Sequence, residues 1–207
     1  MTFTIRRRIT IGQRIAIRLH QFKDNCAGVA AVEFAYLLPL LILMTYGVLE
    51  TSRGVMMHKR FQRSVAMVGD LVAREETIGD DAQAANAEMG GLMKAAENAM
   101  RPYATASLKM GITAIEADPN NATITKVAWS YSHNGYTTAA CGATKAMPAA
   151  GMITKGNSAI LVEAQYTYTP ILTNLVPGFK VSLQWNDQIA NTPRSRCPNF
   201  AGKNCDC

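Results

Sequence analysis

The chain has 207 residues, of which 48% are hydrophobic and 17% charged, with a formal net charge of +6. Residues 1–28 carry Arg6, Arg7, Arg8, Arg14, Arg18 and Lys23 against Asp24 alone, which leaves 15 basic and 14 acidic residues in 29–207. A nucleic-acid binder gathers its cations on the folded face that meets phosphate, so a nearly neutral folded part argues against that class.

Residues 1–28 read as a basic leader, and Val29–Leu49 follow as an almost unbroken apolar run. Its 21 residues would span about 31 Å as a helix, close to the ~30 Å hydrocarbon core of a bilayer. Pro39 lies inside the run, where a membrane helix tolerates it better than a soluble one. Six cations precede the span and Arg53, Lys59, Arg60 and Arg63 follow it, which favours a cytoplasmic N-terminus. A cleaved secretory signal would have a shorter apolar core and a small-x-small site, and GVLETSR offers none. A mitochondrial presequence would be rich in serine, which residues 1–23 lack.

Glu33 is the exception within the run. A carboxylate in an apolar span costs several kcal/mol unless it is paired or neutralised, or snorkels to the nearby interface. A cut after Gly28 would create an α-amino group on Val29. That amine could pair with the Glu33 carboxylate of a neighbouring subunit, so that neither charge is buried alone.

The run Gly28-Val29-Ala30-Ala31-Val32-Glu33-Phe34 resembles a type IV prepilin processing site: glycine, four apolar residues, glutamate, aromatic. The longer string GVAAVEFAYLLPLLILMTYGVLETSR resembles TadE-like proteins of the tight-adherence (Flp, type IVb) pilus system, with AAVEFA, Pro39, Glu50 and Arg53 as points of likeness. The resemblance implies a minor pilin or pseudopilin without a cofactor. A prepilin peptidase would cut it between Gly28 and Val29, with Phe34 as the aromatic after the processing glutamate and Glu33 as the assembly charge. Its implied partners are other pilins and the Tad assembly machinery. Its implied place is the bacterial inner membrane, single-pass, with the C-terminal domain in the periplasm. An uncleaved single-pass envelope protein with an extracytoplasmic binding domain is the alternative.

Beyond the span, Phe61, Val65, Val68 and Val72 form a one-faced helical stripe, predicting that the helix continues to about Ala73. Glu75–Gly79 reads as a break, and Asp80 or Asp81 as the cap of a second helix. Ala85, Met89, Leu92, Met93, Ala96 and Met100 line one face of that helix before Pro102 ends it; methionine is common core filler.

From Thr105 the period becomes two. Leu108, Met110 and Ile112 begin one strand, and Thr123, Thr125, Val127, Trp129 and Tyr131 are expected on one face of a second. Ser158–Thr169 gives a third, with Ile160, Val162, Ala164, Tyr166 and Tyr168 together, and Phe179, Val181, Leu183 and Trp185 a fourth. The expected fold is α+β: a long N-terminal transmembrane helix extending into a two-layer, pilin-like domain with about four antiparallel strands. The segments are a leader (1–28), a transmembrane helix (29–50), a periplasmic helical region (51–101) and an antiparallel β domain with a disulfide-bearing loop and tail (102–207).

Of the five cysteines, Cys141, Cys197, Cys205 and Cys207 lie in this last part. An even number there suits disulfides formed outside the cytoplasm. Cys205 with Cys207 would close a strained loop, so Cys141 is expected to pair with one tail cysteine. Cys205-Asp206-Cys207 could instead supply metal thiolates, but no second close pair accompanies it. His20, His58 and His133 are scattered, Ser132-His133 is a weak triad candidate, and no phosphate loop, HExxH or GxSxG occurs, so the sequence does not read as an enzyme. Glu75-Glu76 and Asp80-Asp81 suit a solvated helix boundary better than a cation site. Asn121-Ala122-Thr123 fits the short glycosylation pattern.

Overall fold

A computed structural model of the chain describes residues 27–149, 151–171, 173, 178, 180–194 and 196–205. It divides into two compact units, Met1–Leu49 and Glu50–Cys207. Helix α1 covers Ala27–Arg74, passing Pro39 without interruption and ending one residue beyond the expected Ala73. Its portion in the first unit is described with the candidate site below.

The second unit is built on the apolar stripe of α1. Phe61, Val65, Val68 and Val72 are fully buried, as is Ser64. A buried hydroxyl needs a partner, and Ser64 Oγ donates to the Ala96 carbonyl at 3.0 Å. That carbonyl belongs to α2 (Ala82–Ala99), which buries Ala85, Met89, Met93 and Ala96. Of the two candidate caps, Asp81 takes the role: its side chain accepts from the Ala84 N–H at 2.7 Å, satisfying one free donor of the first turn. Gly79 makes the turn before it. Its φ is +63°, and a Cβ there would lie 2.1 Å from the Ala85 nitrogen, so both conformation and space demand glycine.

Strands β2 (Lys109–Ala117), β3 (Thr125–His133), β4 (Ser158–Tyr168) and β5 (Leu183–Asn191) form an antiparallel sheet in the order β3-β2-β4-β5. Met110, Ile112, Ala114, Ile160, Val162 and Ala164 join the helical stripes in the main core. The architecture is α+β, with helices on one face of a four-stranded sheet.

Three expectations change. The pairing of β2 with β3 shifts register between Ala114 and Ile115, so that Ala114 opposes Trp129 while Ile115 opposes Val127. Neighbours on a strand face opposite ways, so this bulge sends Val127 and Trp129 to different faces instead of one. The fourth strand runs from Leu183 to Asn191, later than the Phe179–Trp185 pattern implied; Phe179 itself lies outside the described residues. The long loop after β3 is also ordered onto the sheet. Its residues 142–145 line the edge of β3, with Gly142 N–H donating to the Val127 carbonyl at 2.8 Å and Val127 N–H to Ala143 at 2.9 Å. Ile153 and Met147 of the loop pack on Ala117 and Ala159.

A further element was not expected from the sequence. Strands β1 (Thr77–Ile78) and β6 (Asn199–Phe200) pair in parallel. Around them Asn199, Ala201 and Gly202 N–H groups donate to the Glu76, Ile78 and Gly79 carbonyls at 3.0, 3.0 and 3.1 Å. Phe200 stacks on Trp129 with centroids 4.8 Å apart, and Trp129 Nε1 donates to the Pro198 carbonyl at 2.8 Å. The tail thus ties the break between the helices to the sheet.

Candidate functional site

In the first unit, every residue from Gly28 to Leu49 is exposed. Val29, Val32, Phe34, Leu37, Leu40, Leu41 and Leu43 all present more than half of their surface. So continuous an apolar surface calls for lipid or for other helices, and α1 contains a stretch long and apolar enough to cross a membrane. Thr45, within the run, donates its Oγ1–H to the Leu41 carbonyl at 2.7 Å. Glu33 has no such relief, for among the described residues it has neither hydrogen bond nor ion pair. Val29 and Glu33 are four positions apart on one helix, about 6 Å along its axis and on one side of it. A Cβ built on Gly28 meets nothing within 4 Å, so packing among the described residues does not require glycine there.

In the second unit, Glu50 and Tyr168 meet. The Glu50 carboxylate accepts from the Tyr168 hydroxyl and from the Ile171 N–H at 3.2 Å. Burial first, then the hydrogen bond and charge of Glu50, push the Tyr168 phenol up to about 12. The Tyr168 ring stacks on Trp185 at 5.2 Å, and His58 meets the edge of Trp185 at 5.0 Å. Glu50 was read from the sequence as a polar boundary residue; its long-range partner carried no local signal.

The cysteines give a mixed result. Cys197 and Cys205 are bonded to each other, with Cα atoms 5.7 Å apart. Cys141 is disulfide-bonded as well, so its partner is neither of these, and Cys207 lies outside the described residues. Glu116 brings a carboxylate within 4.8 Å of both bonded sulfurs, but sulfurs joined to each other are not thiolate ligands. The suggested Cys205-Asp206-Cys207 chelate is therefore corrected at Cys205, while Asp206 lies outside the described residues. The Ser132-His133 pair does not assemble either. His133 Nε2 lies 3.1 Å from Glu97 on α2, while Ser132 Oγ donates to the Tyr136 carbonyl. Asn121 accepts from the Thr123 N–H at 3.0 Å and its hydroxyl at 2.7 Å, closing a turn.

Residues 28–69 match the family model described as TadE-like protein, the same stretch that carries the resemblance above. The match takes in the exposed run, Glu33, Glu50 and the first part of the buried stripe, and it stops short of α2 and the sheet. No curated protein and no solved structure matches the chain.

Proposed function

We propose, on the premise of that TadE-like segment, that the chain is a minor pilin or pseudopilin in assembly of a type IVb (Tad) pilus for surface adhesion. A prepilin peptidase removes the leader between Gly28 and Val29. The helix sits in the inner membrane, and the disulfide-bonded domain faces the periplasm or joins the filament.

The observation that carries the reading is Glu33: a carboxylate without a partner among the described residues, in an apolar stretch exposed from Gly28 to Leu49. An acid at the centre of a span costs about 2.5–3.5 kcal/mol on insertion scales, and Glu33, four positions after Val29, meets the smaller cost nearer the interface. A neighbouring helix that brings a new Val29 amine to Glu33 offsets that cost and fixes the axial register between subunits. Gly28 fits the same account. Nothing among the described residues needs a glycine at that position, whereas a peptidase that must close around the backbone does.

The test is the mature N-terminus, read by intact mass and peptide mapping of membrane-extracted protein. The expected chain begins at Val29, Gly28→Leu leaves it uncut, and Glu33→Ala is cut but fails to assemble. A chain still beginning at Met1 would favour the permanently anchored binding protein, and normal filaments from Glu33→Ala would refute the pairing.

A further inference from the structure

The sheet face turned away from the helices is only partly covered by the loop after β3. Gly111, Glu163 and Gln188 form one row across β2, β4 and β5, and Lys109, Gln165 and Asn186 form the next, with Lys109 outside the cleft lining. Gly111 leaves a gap in its row that the Tyr136 ring fills, since a Cβ at 111 would lie 2.4 Å from Tyr136 Cδ1. The ring becomes one wall of an open cleft whose lining includes Glu163, Gln165, Asn186 and Gln188.

The chemistry of this lining is specific. Glu163 gives both oxygens to Lys145 Nζ, at 2.7 and 2.8 Å, so its charge is compensated and its position fixed. The carboxamides of Gln165, Asn186 and Gln188 make no side-chain hydrogen bond among the described residues. Each offers two donors and an acceptor, and they sit side by side because their strands are paired in register.

In the lining the Glu163 charge is already compensated by Lys145 and Asp187 lies in register with core-facing Ala164, so a charged ligand gains no ion pair within the cleft. An apolar ligand would strip water from three amides and return nothing. A polyhydroxylated ring suits both halves of the cleft: its hydroxyls donate and accept as carboxamides do, and its C–H face packs on an aromatic wall.

We infer that this cleft is a carbohydrate site, taking a neutral sugar on Gln165, Asn186 and Gln188 with Tyr136 as the stacking wall. The proposal is independent of how the N-terminus is processed. It is tested on the full chain in a phosphocholine detergent, which has no sugar headgroup. Maltotetraose, cellotetraose and chitotetraose are titrated separately and followed by calorimetry and saturation-transfer NMR. At least one is expected to saturate in the millimolar range or below. Asn186→Ala with Gln188→Ala, both on exposed edge-strand positions, should weaken it by about tenfold or more. Tyr136→Ala should do the same, while Asn98→Ala on the far helix α2 leaves binding unchanged. Saturation by none of the three sugars overturns the proposal. So does binding that survives both sets of cleft substitutions, or uptake of tetralysine in place of every sugar.

Discussion

Replacing Tyr168 with phenylalanine removes one oxygen and leaves the ring on Trp185, so it isolates the hydrogen bond to Glu50. A bond of this kind, to a charged acceptor, contributes about 1.5–3 kcal/mol. The pH dependence gives a second, independent magnitude. The phenol is raised from the ordinary 10.0 to about 12 in the fold, so the folded state holds its proton where the unfolded chain has lost it. The contribution is complete below pH 10 and disappears as pH climbs through 12. Two units amount to about 2.7 kcal/mol, of which about 1.4 has gone by pH 11. The assay is denaturant unfolding of the full chain in detergent micelles, followed by tryptophan fluorescence, at pH 8 and pH 11. Tyr168→Phe should be less stable than the parent at pH 8, and the gap should narrow by about 1.4 kcal/mol at pH 11. Tyr131, Tyr136 and Tyr166 are also raised by burial, so both proteins soften in alkali and the difference between them is the informative quantity. A gap that stays constant from pH 8 to 11, or no gap at pH 8, would refute the account.

Gly79→Ala should cost at least ~2 kcal/mol, because a left-handed φ and a backbone clash act together; a thermal melt within error of the parent would contradict the close approach to Ala85. Cys197→Ser with Cys205→Ser opens a loop of sequence separation 8. On the chain-entropy account this should lower stability by about 2–3 kcal/mol, visible as a drop in denaturant midpoint without any change at Cys141.

The elements that repeat a simple period were legible in the sequence. The stripe from Phe61 to Val72 and the methionine face of α2 have helical spacing, and both are core. Val162 to Tyr168 alternates cleanly because β4 lies inside the sheet with helices on one side, whereas Leu161 is apolar and buried between Ile160 and Val162. The bulge at Ala114 was not legible, because an inserted residue leaves the apolar letters in place and changes only which way they point. Strand β5 was displaced because its stretch Trp185-Asn186-Asp187-Gln188 is polar on the outer side, as an edge strand with an uncovered face allows. The two-residue strands β1 and β6 are shorter than any period can register. At the candidate site, Gly28, Val29 and Glu33 are singled out by local spacing and the resemblance it carries, and their proposed roles rest on the sequence. The bond from Tyr168 to Glu50 joins residues 118 apart, and the sugar cleft comes from pairing register, so neither leaves a pattern along the chain.

The pairing of Thr77 with Asn199 also sets an order of events during synthesis of the chain. The helical residues of the domain are made long before residues 196–205, yet those late residues cap Trp129 and hold the turn at Gly79. Until they arrive, the nascent domain has the helices and the sheet without the seam between them, and the indole of Trp129 lacks its stacking partner. Closing a loop of this length comes late for entropic reasons as well. The domain therefore completes itself only after nearly all of it has been made, and Cys197 and Cys205 come together only with that last segment.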